Sequence, residues 1–198
     1  MKIWHDPQHG GPHRGCEHNG IVEKDWVLKM AAGFLAVTYG FGWTQMLSRV
    51  IDIFETYEER ASKAKVWGAD IAFLHHVNAH DDTNLDGLIT FVYPGQPLAL
   101  DVAKVIGHCA PVELRQRNPA YVTKNSDWTK RADFCLKPYA EQGIPTVLIE
   151  WGFSTSLRDV EILTNGLHRP ALESALICGA SRAQQILPSC RSFAPEVG

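Results

Sequence analysis

No stretch of this 198-residue chain approaches the roughly 18 consecutive apolar residues of a membrane-spanning helix. Positive charge is not in excess either. Nineteen Lys and Arg against 22 Asp and Glu leave a net charge of −3, without the basic footprint of a nucleic-acid binder. The five cysteines (Cys16, Cys109, Cys135, Cys178 and Cys190) are odd in number, widely spaced and free of any CxxC pair. That excludes a sequence-evident disulfide framework and a thiolate zinc site. The start has no long apolar stretch of the kind a secretory signal needs, since Lys2 and Ile3 lead at once to His5, Asp6 and Pro7. The expectation is therefore a chain made in the cytoplasm that begins at its first structural element. There is no internal repeat and no low-complexity linker. One domain is expected over residues 1–187, with 188–198 as a loose tail.

The elements alternate. Short apolar or β-branched runs predict strands at Lys2–His5, Trp43–Ser48, Ala69–Leu74, Leu88–Tyr93 and Pro145–Ile149, with a short segment near Tyr121. Helical spacing predicts helices at Val22–Val37, Tyr57–Trp67, Leu98–Cys109, Asp127–Tyr139, Ser156–Leu163 and Pro170–Leu187. Gly68 stops the second of these, and Ser156 caps the fifth. Strands that alternate with helices indicate an α/β fold: a single domain with an open, twisted, mostly parallel sheet and helices on both faces. In the first helix, Val27, Met30 and Phe34 recur on one stripe, and Glu23 extends that stripe back by four residues toward the sheet.

Polar residues gather where the apolar strands end. The first strand runs into Asp6-Pro7-Gln8-His9, the third into His75-His76-Val77-Asn78, and the last into Glu150-Trp151-Gly152-Phe153. The carboxyl ends of strands in an open α/β sheet form one rim, where ligands bind. Glu23 opens the helix after the first strand and starts on the same rim. His9, Glu23, His76 and Glu150 thus converge from distant parts of the chain. Two imidazoles and a carboxylate suit a catalytic zinc ion, with ligands at ~2.0–2.2 Å and one position left open. A second, unliganded carboxylate beside it can take a proton from water. Each residue alone has a plainer explanation. His9 fits a solvated loop histidine, Glu23 a first-turn carboxylate on the helix dipole, and His76 a satisfied core imidazole. Only Glu150, after an apolar strand, needs a partner or a function. His5, His13, His18, His75 and His80 compete for the ligand positions, and periodicity does not exclude them.

Three ordered blocks over about residues 2–187 carry a family resemblance: IWHDPQHGG followed by VEKDWVLKMA, then Arg60 to Ala64 with ADIAFLHHVNA, then PTVLIEWGF. The chain resembles the zinc-dependent N-acetylmuramoyl-L-alanine amidases of the amidase-3 type. The resemblance implies His9, Glu23 and His76 as ligands of one zinc ion and Glu150 as the catalytic residue. It chooses His76 over His75, because the matching histidine lies two residues before Asn78. The implied substrate is peptidoglycan, cut at the amide between N-acetylmuramic acid and L-alanine. A monomer with no nucleic-acid or membrane partner is expected: either a phage or prophage lysis enzyme, made in the cytoplasm and acting on the cell wall after release, or one catalytic domain of a longer exported protein. Some members of the family carry a helix that plugs the site. His80–Asp86 is too short for one, so an open groove is expected. Gln8 stands where the family has glycine, Leu74 where it has serine, and His75 where it has an apolar residue. His75 reads as a solvent-facing neighbour of the site. The alternatives are a zinc peptidase or carboxypeptidase on stem peptides, and a non-catalytic wall-binding module.

Overall fold

A computed structural model describes residues 1–114, 120–123 and 130–191, with side chains through residue 187. The strands are β1 (Lys2–Pro7), β2 (Glu17–His18), β3 (Ile21–Val22), β4 (Thr44–Leu47), β5 (Ile71–Asn78), β6 (Ile89–Val92), β7 (Ala120–Val122) and β8 (Thr146–Phe153). The helices are α1 (Glu23–Val37), α2 (Tyr57–Trp67), α3 (Pro97–Cys109), α4 (Lys130–Glu141), α5 (Leu157–Thr164) and α6 (Arg169–Arg191). A six-stranded sheet runs in the order β4-β1-β5-β8-β6-β7, and β2 and β3 form a separate small hairpin. Within the six-stranded sheet all neighbours pair in parallel except β6 and β8, which are antiparallel, as are β2 and β3 in the hairpin. The expected single-domain, mostly parallel α/β sheet with helices on both faces is what the chain adopts. Residues 127–129 of the predicted fourth helix lie outside the described residues, as do 192–198. The backbone of α6 stays helical through Pro188, four residues past the end predicted for it.

Period-two alternation divides the strands between two cores. On one face, Ile3, Ile71, Phe73, Val147 and Ile149 pack with side chains of α1, α3, α5 and α6, among them Phe34, Ile106, Ile162 and Leu176. On the other, Trp4, Ala72, Leu74 and Leu148 pack with α2 and α4 through Ala61, Ala64, Leu136 and Tyr139. Full burial of such a large side chain stabilises the fold by about 1.5–3 kcal/mol. Between α3 and α6 the packing is close enough to exclude a side chain. A Cβ on Gly179 would lie 2.4 Å from Cγ1 of Ile106.

The strands run further than their apolar segments. β5 continues through His75, His76 and Val77, and β8 through Glu150 to Phe153, so the rim residues are strand residues rather than loop residues. The alternation carries on with them. His75 follows Phe73 toward the α1 side of the sheet, and His76 follows Leu74 toward the α2 side.

Candidate metal centre

Glu23 is the first residue of α1, and Val22 before it supplies no side-chain cap. The glycine-rich loop does that work instead. Carbonyl oxygens of Cys16 and Arg14 accept the N–H groups of Glu23 (3.0 Å) and Lys24 (3.1 Å), fastening loop to helix. Gly15 makes the approach possible. Its φ is +71°, and a Cβ there would stand 2.3 Å from Oε2 of Glu23. The N–H of Cys16 consequently donates to that oxygen at 2.8 Å.

The other end of the loop is set by a buried ion pair. Asp6 and Arg60 are almost wholly buried, with Nη1 of Arg60 2.5 Å from Oδ1 of Asp6. Ser48 (2.6 Å), the Tyr139 hydroxyl (2.6 Å) and the Gln8 amide also donate to the Asp6 carboxylate. Buried charges persist when paired and fully hydrogen-bonded in this way. The second guanidinium nitrogen of Arg60 donates to the carbonyl of His9 at 2.8 Å. His9 has φ of +61°, a left-handed conformation that costs energy in a residue with a Cβ, so the turn is held rather than relaxed. The strain sits at His9 and not at Gln8, so a side chain is tolerated where the family pattern has glycine.

Three of the predicted site residues meet at the end of this scaffold. Nε2 of His9 lies 3.1 Å from Oε1 of Glu23, and Nδ1 of His76 lies 3.0 Å from the same oxygen. One donor atom from each of His9, Glu23 and His76 falls within 4.8 Å of the others, a group able to hold a metal ion. A bulge in the β5–β8 ladder after His76 contributes. The N–H of Val77 turns to Oε1 of Glu23 at 3.0 Å. Glu150 stands directly across the ladder from His76, so the two side chains share one face of the sheet. All four line one cavity of about 630 Å³, together with Cys16 and Arg131.

The electrostatics separate the two carboxylates. Burial opposes ionisation of Glu23, but hydrogen bonds and charge from His76 and His9 overcome it and hold the carboxyl well below its usual range. Glu150 shifts the other way. Burial, then the neighbouring charge of Glu23, raises its carboxyl well above the usual range. Burial also lowers His76, against the pull of Glu23, and favours the neutral imidazole a metal requires. Oε2 of Glu150 and Nε2 of His76 are buried without a hydrogen-bond partner. Such orphans cost about 1–3 kcal/mol each. Their presence beside a convergent His–Glu–His donor set fits a cation and its water.

The remaining histidines take other positions. His75 corrects the expectation of a solvent-facing neighbour, because it is completely buried on the opposite face of the sheet. Nε1 of Trp151 donates to its Nδ1 at 3.2 Å, and its Nε2 bonds Nδ1 of His5 at 3.2 Å. His5 in turn reaches Oε1 of Gln45 at 3.1 Å. Each ring donates once and accepts once, as neutral imidazoles do. His13 stacks on Phe54, His18 lies on the wall of the cavity, and His80 sits in an exposed turn. Asp6, Arg60, Tyr139 and Gly15 position the site, and rim reasoning did not find them. The one signal for Arg60 was its place in the family pattern.

The model of the N-acetylmuramoyl-L-alanine amidase family designated Amidase_3 matches residues 3–180. The chain is 28% identical over 188 residues to the N-acetylmuramoyl-L-alanine amidase CwlM of Bacillus licheniformis, covering 92% of this chain and 68% of that one. It is 33% identical over 165 residues to a sporulation-specific N-acetylmuramoyl-L-alanine amidase of Bacillus subtilis, covering 82% of this chain and 60% of that protein. It shares its fold with the catalytic domain of CwlV, an amidase of Paenibacillus polymyxa, at a TM-score of 0.78, 17% identity and coverage of 93% and 98%. The chain thus spans about two thirds of the length of these two relatives and nearly all of a solved catalytic domain. With a family model reaching from β1 into α6, the chain belongs to the N-acetylmuramoyl-L-alanine amidases.

Proposed function

We propose that this chain hydrolyses the amide joining the lactyl group of N-acetylmuramic acid to L-alanine in peptidoglycan. His9, Glu23 and His76 hold one zinc ion in this reading, and Glu150 moves the protons. The observation that carries it is the convergence of three donor atoms within 4.8 Å beside a partnerless carboxylate, in a chain of this family. Two imidazoles and one carboxylate with an open position are the ligand set of catalytic zinc. Zinc there supplies a Lewis acid for the amide carbonyl and lowers the pKa of a bound water to about 7.

The chain's own groups do the rest. Glu23, held ionised, and His76, held neutral, carry the net charges that metal ligation requires. The Asp6–Arg60 pair fixes the backbone of His9. Glu150 takes a proton from the attacking water as its oxygen bonds to the carbonyl carbon. It then gives that proton to the alanine nitrogen as the C–N bond breaks, leaving a lactyl carboxylate and a free amine. Oε2 of Glu150 has no hydrogen-bond partner, so it is open to both halves of that transfer. All four residues come from one chain, which supports action as a monomer.

Digestion of purified cell wall followed by mass spectrometry tests the proposal. Intact stem peptides with a free N-terminal alanine are expected. Release of single C-terminal amino acids would make it a carboxypeptidase, and no chelator-sensitive release would leave only a binding module.

A further inference from the structure

Behind the metal centre, on the opposite face of the sheet, a set of polar side chains that the mechanism does not use forms one hydrogen-bonded row. Nε1 of Trp151 donates to Nδ1 of His75 at 3.2 Å. An indole nitrogen only donates, so a neutral His75 carries its hydrogen on Nε2 and donates it to Nδ1 of His5 at 3.2 Å. His5 in turn donates from Nε2 to Oε1 of Gln45 at 3.1 Å. The Gln45 amide donates to the hydroxyl of Thr38 at 2.8 Å, and that hydroxyl to the carbonyl of Phe34 at 2.7 Å. Every member points its hydrogen the same way, from β8 through β5, β1 and β4 to the last turn of α1. Hydrogen bonds aligned in one sense strengthen one another. The His5, His75 and Trp151 rings are close to parallel, with interplanar angles of 18° and 7°.

Stability alone gives no reason for this row. Its neighbours on that face, Ile3, Phe73, Val147 and Ile149, are apolar. Replacing both partners of a buried hydrogen bond by apolar groups of the same shape is close to neutral. What the row adds is geometry. Each link between strands crosses diagonally to the next, so a slip of one residue in any strand would turn a partner to the other face. The elements it ties together also carry the site. His75 precedes His76, Trp151 follows Glu150, and His5 precedes Asp6, whose ion pair with Arg60 holds His9. Helix α1, tied at its last turn, begins with Glu23. The row crosses where the backbone ladder is irregular. His76 pairs with Glu150 and Asn78 with Phe153, so Trp151 and Gly152 together oppose Val77 alone. That bulge aims the N–H of Val77 at Glu23. None of the row's side chains lines the catalytic cavity, so its effect on the site passes through the backbone. We propose that His5, His75 and Trp151 are positioning residues of the amidase, a brace across the sheet that holds the β5–β8 bulge and the facing pair His76 and Glu150 in place against His9 and Glu23. The inference rests on the amidase reading. His75 stands where the family pattern has an apolar residue, so the central link of the brace is this chain's own.

The test measures kcat and KM on a soluble N-acetylmuramoyl-L-alanyl peptide, and zinc affinity by isothermal titration, for His75→Leu, His75→Gln and Gln45→Met at a temperature where each is folded. Leucine fills the space and cuts the row. Glutamine keeps an oxygen to accept from Trp151 and an amide to donate to His5. His75→Leu lowers kcat at saturating zinc by about 10²-fold, the effect of misplacing reacting groups by ~1 Å. It lowers zinc affinity about tenfold and leaves KM unchanged, because the row does not touch substrate. His75→Gln recovers most of both losses. Gln45→Met cuts the row on the edge strand, at a half-buried position away from the site, and still lowers kcat by about 2- to 30-fold. Wild-type kcat and zinc affinity in either cut variant overturn the brace, even where the melting temperature falls. If His75→Leu does not fold, Gln45→Met decides alone. Nitrogen-15 NMR of the wild-type protein shows both imidazoles with their hydrogen on Nε2, and a hydrogen on Nδ1 of His75 overturns the row. If wild type cleaves no such amide the amidase reading fails, and the zinc affinities of the same variants still decide the brace.

Discussion

Two carboxylates share one cavity and lean in opposite directions, Glu23 toward the charged form and Glu150 toward the protonated one. Such a divergence marks an acid–base assignment. Replacing Glu150 by Gln keeps the shape and removes the proton carrier. Turnover is expected to fall about 10²–10⁴-fold, with zinc content by atomic absorption unchanged. A variant that still cuts wall at the wild-type rate would falsify the role. A second residue-scale prediction concerns His5, which burial, only partly offset by its bond to Gln45, lowers from 6.5 to about 4. Between those values the unfolded chain binds a proton that the folded chain refuses, so stability rises with pH across the window and is lost as pH falls from 6.5 toward 4. His5 alone accounts for ~3 kcal/mol of that loss. Urea unfolding at pH 7 and pH 4.5 measures it, and His5→Gln should flatten the dependence. The sequence singled out the four residues that line this cavity because each follows an apolar run or starts a helix. It did not disclose the burial of His75, whose partners Trp151 and His5 are remote in sequence and come together only across the sheet. The Asp6–Arg60 pair was hidden for the same reason, since a charged residue on a charge-rich helix reads as solvated.

Among the elements, the loop between β1 and α1 and the α3–α6 contact are places where a missing Cβ decides the packing. Gly15→Ala would push a methyl group into the Glu23 carboxylate from a left-handed backbone. Zinc affinity should drop by about 10–100-fold, as for other changes to groups supporting metal ligands, which isothermal titration would show. An unchanged affinity would mean that the loop does not hold Glu23. Gly179→Ala gains helix propensity, but its Cβ meets Ile106 in a close-packed core. A net loss of about 1–3 kcal/mol in thermal unfolding is expected. In combination with Ile106→Ala the two losses should be less than additive. Element type was legible because periods of two and 3.6 residues are. Direction was not: nothing in ITFV shows that β6 runs against β8. The hairpin of β2 and β3, two residues in each strand, is too short to leave a pattern. The extension of β5 and β8 through polar residues escaped notice because hydrophobicity ended before the hydrogen-bond ladder did.

For the molecule as a whole, the sheet gathers the donor set at one rim, between helices packed on its two faces. No helix among the described residues is long and apolar enough to cross a membrane. Residues 80–86, between β5 and β6, form turns only, which leaves no helix there to close the groove. Purified protein should therefore clear wall suspensions without an activator, and a strict requirement for one would contradict this. Zinc that binds only the folded chain adds stability by mass action, ~4 kcal/mol at a thousand times its Kd. Chelation should lower the melting temperature and zinc should restore it, whereas His9→Ala should respond to neither. The most direct measurement is anomalous diffraction at the zinc edge from zinc-loaded crystals. The account predicts one ion at ~2.0–2.2 Å from one ring nitrogen each of His9 and His76 and an oxygen of Glu23, with Glu150 outside its coordination. An ion bound elsewhere, or one that takes Glu150 as a ligand, would contradict it.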